Sequence, residues 1–235
     1  MRASLRKYGK ETRRPVYSAA LVLPFFLIYH IGTLFWHSTY INGADALIIR
    51  VLSLFSVHSM FASAIVLLAC FIIWQIRTRA KWDISSHTLL LLFGESLFFA
   101  ALMYSIFACL PVLLSSKASK TAMPGALEKL VLYCGAGIYE ELVFRGFLIG
   151  ILVLASTKLL RIPRSTAAVG SSVVAALLFA VFHYIGPAGD PFTLGTFLQR
   201  TWGGLYFSLL FITRGFGVTA AAHAFYDMLV SILGS

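Results

Sequence analysis

The chain has 235 residues, of which 59% are hydrophobic and only 12% charged; soluble domains carry roughly 25% charged residues, so a soluble globular protein is excluded. Its formal charge is +10, from 19 Lys and Arg against 9 Asp and Glu, but the basic residues sit mostly at the ends of apolar runs. There they set membrane orientation, and nucleic acid is not a predicted partner.

A bilayer core of about 30 Å takes about 20 apolar residues per helical span, so this length accommodates roughly six to eight spans in one membrane domain. The first fourteen residues carry Arg2, Arg6, Lys7, Lys10, Arg13 and Arg14 against one acid, Glu11, which predicts a cytoplasmic amino terminus. The apolar run at 16–36 is long enough to span, and no small-residue cleavage motif follows it, so it reads as an uncleaved first helix. The stretch to residue 58, with Asp45 and Arg50, reads as a loop plus an interfacial helix. A second span at 59–76 ends in Arg77, Arg79 and Lys81, which return the chain to the cytoplasm. A third span at 88–114 carries Glu95, and the polar linker SSKASKTAMPGA, with Pro124 and Gly125, interrupts the chain before the next helix.

The fourth helix, 127–156, contains YEELVFRG and runs into Lys158, Arg161 and Arg164, another cytoplasmic turn. A fifth span at 167–185 ends in FAVFHY and is followed by the turn-forming GPAGDP; a sixth at 194–213 reaches Arg214 and Gly215; a seventh at 218–233 holds AAHAFYD. The predicted fold is therefore an all-α, polytopic transmembrane bundle of about seven spans enclosing a polar cavity. An amino-terminal unit, 1–126, supplies about three spans, and a catalytic core occupies 127–235. Cys70, Cys109 and Cys134 are an odd number within apolar stretches, which predicts buried free thiols and no disulfide framework.

A charged side chain at the bilayer centre costs on the order of 3 kcal/mol on insertion scales, so Glu140, Glu141, Arg145 and Asp227 need partners or a wet cavity. On an α-helix Glu141 and Arg145 lie about 40° apart in projection, with the acid on the amino-terminal side, the favourable order for an ion pair. Glu140 lies about 140° from Arg145, which leaves it without a local cation and makes it the candidate for proton transfer. Phe179 and His183 share one face of the fifth helix. His223 and Asp227 are likewise four apart, so the carboxylate is placed to orient the imidazole. All these groups fall on three helices rich in small residues, which permit close packing around one polar cavity.

Two mechanisms fit such a set. In one, Glu140 deprotonates a water that His183 positions, and His223 with a neighbour stabilises the oxyanion formed at an amide carbonyl. In the other, the same His and carboxylate groups bind Zn²⁺, which lowers the pKa of a bound water to about 7. No H-E-x-x-H motif is present, so zinc is not demanded by the spacing. Cys134 has no histidine on its helix to generate a thiolate, and Ser171 and Ser172 lack a nucleophile-elbow context. His30, His37, His58 and His87 fall near helix ends, where packing or interfacial roles are the default, and Glu95 reads as a supporting residue of the site.

The combination of EExxxR at Glu140, Glu141 and Arg145, FxxxH at Phe179 and His183, and HxxxD at His223 and Asp227 resembles the CPBP family: the type II CAAX prenyl endopeptidases and bacteriocin-processing enzymes, also called Abi proteins. The resemblance covers residue 127 to the carboxyl terminus, under half of the chain. It implies an all-helical membrane fold and a glutamate-activated water without a cofactor. It also implies proteolysis of peptide or lipidated protein substrates at the membrane; the basic amino terminus and cytoplasmic loops fit a bacterial inner membrane.

By position, Glu140 corresponds to the catalytic base, His183 to its partner on the water, and His223 with Asp227 to the oxyanion pair. Glu141, Arg145 and Phe179 are supporting residues. The eukaryotic prenyl proteases carry asparagine at the position of Asp227, and a carboxylate donates a hydrogen bond only when protonated. Asp227 is accordingly assigned to orienting His223, with His223 as the main oxyanion donor. The family also includes immunity proteins, so the alternative from another class is a non-catalytic membrane scaffold in which the same polar residues join helices.

Overall fold

A computed structural model describes residues 8–36, 41–109, 125–186 and 189–233. Among the described residues the chain is helical, without strands. Helix α1 (Pro15–Phe35) begins with proline at its first turn, where the missing N–H is not needed. The short α2 (Gly43–Ser53) is capped by Asn42, whose side chain accepts from the Ala44 N–H at 2.8 Å. Two apolar helices follow, α3 (Ala62–Thr78) and α4 (Ser86–Ala108), the second capped by Ser85.

The fourth predicted helix is present but is not one regular α-helix. It starts as α5 (Ala126–Gly135), widens into two π-helical segments, Ala136–Glu140 and Leu142–Ile149, and resumes as α6 (Gly150–Lys158). Then come α7 (Arg164–Phe182), α8 (Leu194–Arg214), capped by Thr193, and α9 (Phe216–Leu233). The linker predicted between residues 115 and 126 falls almost wholly outside the described residues, as do His37 and part of the GPAGDP loop.

Among the described residues four helices are long and apolar enough to cross a membrane, namely α1, α4, α7 and α9, and α3 is apolar but shorter. Many large apolar side chains on these helices face outward, among them Leu23, Ile65, Ile72, Leu90, Phe98 and Val169. Such a surface is stable against lipid and not against water. The protein is an integral membrane protein, and length and composition alone identify four of the predicted seven spans. Helix α8 is long enough, but Arg200 and Arg214 reduce its hydropathy, and the α5–α6 rod carries Glu128, Lys129 and the polar motif.

Helix α9 is the axis of the bundle. Its residues from Phe216 to Ala224 are all buried, and the run GVTAAAHA keeps side chains small enough for it to pack against α4, α1, α8 and the first π-helical segment. At its closest approach, a Cβ on Gly137 would lie 2.5 Å from the Ala220 carbonyl oxygen and 2.8 Å from the Ala224 nitrogen. Side chains from before and after residue 126 share one core, with Tyr17, Leu21, Phe25 and Tyr29 packed together with Ile138, Tyr139, Phe207 and Val218.

The predicted state of the cysteines needs correction. All three are free, but only Cys134 is buried; Cys70 is partly covered and Cys109 is exposed at the end of α4. An apolar stretch in a membrane helix has a lipid-facing side as well as a core-facing one, and periodicity alone did not tell them apart.

Candidate active site

The deepest element of the site is a buried ion pair. Arg145 NH1 donates to Glu141 Oε1 at 2.8 Å, with the two side chains 1% and 0% exposed. The same guanidinium donates to the Gly204 carbonyl at 3.1 Å and lies 4.6 Å from the centre of the Phe179 ring. This accounts for the predicted pairing of Glu141 with Arg145, and for the position of Phe179 as a cation–π partner. Helix α8 reaches the guanidinium because Gly204 packs on α7, where a Cβ would meet Ala176 at 2.9 Å.

The sequence reading assigned the orientation of His223 to Asp227; the structure gives that position to Glu141. His223 Nδ1 lies 2.7 Å from Glu141 Oε1, whereas Asp227 lies on the other side of the ring, its Oδ2 3.7 Å from Nε2. A carboxylate already paired with Arg145 acts as an acceptor, so Nδ1 carries the proton it donates. The ring is held flat against Phe207, with centroids 4.5 Å apart and planes 18° apart. Nε2 therefore faces Asp227 and also Glu140, whose Oε2 is 3.9 Å away. Both separations exceed a hydrogen bond.

Glu140 is held by a residue that sequence reasoning missed. Asn42 Nδ2 donates to Glu140 Oε1 at 3.0 Å, while its Oδ1 caps α2. Asn42 is the only asparagine in the chain, and an asparagine ahead of GADALIIR is a visible helix-start signal. Its reach across 98 positions to Glu140 is not. A buried polar cluster continues behind it: the Tyr29 hydroxyl donates to Asp45 Oδ2 at 2.6 Å and accepts from the Asn42 N–H at 3.1 Å. His30, read as a packing residue, is hydrogen-bonded to the Tyr139 hydroxyl at 2.6 Å.

His183 ends α7, where its Nδ1 is 2.8 Å from the Phe179 carbonyl and the Phe179 ring stands edge-on at 4.8 Å. A carbonyl can only accept, so Nδ1 is the protonated nitrogen and Nε2 is left for other partners. Glu140, His183, His223 and Asp227 together line a cavity of about 270 Å³, with Arg200 and Tyr226 among its other walls. Its floor is closed by Phe179 and Phe207 over Glu141 and Arg145, while Asp227, Thr196 and Arg200 are partly exposed and Val230 is exposed.

Glu95 does not belong to this cavity. It binds Arg214 through both carboxylate oxygens, with Oε2 2.6 Å from NH2, and accepts from the Tyr8 hydroxyl at 3.0 Å. Arg214 also reaches Thr12 at 3.2 Å. This clamp joins the amino-terminal segment, α4 and the α8–α9 turn. Arg214 is fourteen positions along α8 from Arg200, roughly 20 Å at the helical rise. Burial, and then the Glu95 carboxylate, push the Tyr8 phenol up to about 12.

Among the described residues no group of three or more His, Cys, Asp and Glu side chains is arranged to hold a metal ion. Glu141 Oε1 is shared by Arg145 and His223, and Glu140 Oε1 is taken by Asn42.

Compared with known proteins, residues 123–229 match the family model for type II CAAX prenyl endopeptidase Rce1-like proteins. Neither a curated protein nor a solved structure matches the chain.

Proposed function

Since residues 123–229 belong to the Rce1-like group of the CPBP endopeptidases, we propose that the chain is an intramembrane endopeptidase that hydrolyses peptide bonds of membrane-associated or lipidated substrates through a glutamate-activated water. The observation that carries this reading is the convergence of Glu140, His183, His223 and Asp227 on one cavity above a closed, charge-paired floor. Glu140 Oε2 is the oxygen that Asn42 leaves free, and it acts as the general base. His183 positions the attacking water through Nε2. His223 stabilises the oxyanion from Nε2; because Nδ1 is already donating to Glu141, this requires the doubly protonated ring, a form that the adjacent carboxylates complement electrostatically. Asp227 stands on the open side of that nitrogen and stabilises its charge.

The membrane is read as a bacterial inner membrane with the amino terminus in the cytoplasm, from the basic residues before Pro15 and in the α3–α4 and α6–α7 turns. Bacteriocin processing is a role that fits this reading.

Cleavage of a peptide library by the purified protein in detergent tests the reading, with Glu140→Gln as the comparison and each protein assayed with and without a chelator. The expected result is a folded, inactive Glu140→Gln and a wild-type activity that survives the chelator. Loss with chelator and recovery with Zn²⁺ would overturn the water mechanism in favour of a metal site. Equal inactivity of two folded proteins would favour the non-catalytic scaffold.

A further inference from the structure

The two ends of the bundle differ in charge, and the cavity opens at only one of them. One end is tied together by Arg14, which donates to Asp83 at 2.7 Å across the α3–α4 turn, and by Arg13, which reaches the Ile212 carbonyl near the α8–α9 turn. The Glu95–Arg214 clamp lies at the same end. Arg77, Arg79 and Lys81 cluster there, and the antiparallel course of α7 and α8 brings Lys158, Arg161 and Arg164 to it as well. The other end has Arg50, Lys129 and Arg200 interspersed with Asp45, Glu128 and Asp190.

Exposure along the cavity walls points to that second end. On α9 it rises from buried His223 through partly exposed Asp227 to Val230, and on α8 from buried Gly203 back through Arg200 to Thr196. Toward the basic end the way is closed by Phe207, Gly204, Glu141 and Arg145, all buried. Basic residues mark the cytoplasmic face of short membrane loops.

We propose that the cavity opens on the extracytoplasmic face, so that its substrate is a peptide segment presented at the outer membrane surface and not one held in the cytosol. This rests on the peptidase reading for the word substrate, but the direction of opening is independent of it. A segment entering from outside passes the Asp190–Arg200 pair and Thr196 before it reaches Glu140.

Thiol labelling of the full chain in intact bacterial cells tests the proposal, with Cys70, Cys109 and Cys134 replaced by alanine and one cysteine reintroduced at a time. Pro191→Cys and Phe192→Cys report the cavity end; Trp82→Cys and Leu160→Cys report the basic end, and all four positions are exposed. A membrane-impermeant maleimide is expected to label the first two before permeabilisation and the second two only after it. The reverse pattern, or equal labelling of both ends in intact cells, overturns the proposal. Using two reporters per end guards against a variant that fails to fold. The same variants assayed with peptide in detergent report on the peptidase reading separately, so outward opening without cleavage would sink that reading and leave the orientation standing.

Discussion

Glu141 Oε1 accepts from Arg145 NH1 at 2.8 Å and from His223 Nδ1 at 2.7 Å, so one buried oxygen fixes both the cation of the floor and the imidazole of the cavity. Replacing Glu141 by alanine strands a guanidinium that is 1% exposed, and breaking a buried pair in this way costs about 3–5 kcal/mol. Glu141→Ala is therefore expected to lose most of its folded protein, measured as a fall in Tm and in monodisperse yield. Glu141→Gln, which keeps an oxygen acceptor, is expected to fold and yet cleave slowly, because the amide holds His223 without a charge. A Glu141→Ala protein as stable as the wild type would show that the pair is not what holds these helices.

Asn42 has two separable jobs, and serine separates them. Asn42→Ser keeps an oxygen for the α2 cap and is too short to reach Glu140, while Asn42→Ala loses both contacts, including a cap of about 1 kcal/mol. A hydrogen bond to a charged group contributes about 1.5–3 kcal/mol, so both variants are expected to lose roughly tenfold to a hundredfold in kcat. Only Asn42→Ala should also lose Tm. Equal kcat for wild type and Asn42→Ser would remove Asn42 from the positioning of Glu140.

What could be read from the sequence divides along the distance between partners. Apolar runs located the helices to within a few residues, because burial in lipid depends on the length and composition of each run taken alone. The i,i+4 pair of Glu141 and Arg145 and the FxxxH contact of Phe179 with His183 were also legible, since both partners lie on one helix. His223 was matched to its neighbour Asp227 by the same local rule, and there the rule failed: Glu141, 82 positions away, offers an oxygen that Arg145 has already oriented. The π-helical turns were equally hidden. They widen the backbone beside Gly137, where α9 comes closest, and that approach is a property of the packed bundle, not of the motif.

The Glu95 clamp predicts a stability effect without an effect on chemistry. Glu95→Gln keeps a neutral contact to Arg214 but loses its charge, so a loss of about 1 kcal/mol is expected for a partly exposed pair. Cleavage per folded molecule should be unchanged, since the cavity lies far along α8. Tyr8 adds a pH signature. Its proton is bound more tightly in the folded protein, so its contribution is complete below pH about 10 and is lost as the pH rises to about 12. Thermal unfolding across that range should show an alkaline step that Tyr8→Phe abolishes; an identical step in the variant would assign it elsewhere.

Gly137 tests whether the Glu140 segment is held against α9 as closely as its contacts imply. A Cβ at this position would meet the Ala220 carbonyl oxygen at 2.5 Å and the Ala224 Cβ and nitrogen at 2.8 Å. Backbone atoms cannot rotate away as the end of a flexible side chain can, so the helices must separate. Overpacking of this kind costs about 1–3 kcal/mol. Gly137→Ala is thus expected to lower Tm. Since the same displacement carries Glu140 away from His223, it should also reduce kcat more than KM. Gly150→Ala is the control, because a Cβ there meets nothing within 4 Å, and it should leave both quantities near those of the wild type. If the two alanine variants behave alike, the close contact between this segment and α9 is not what sets the spacing of Glu140 from His223.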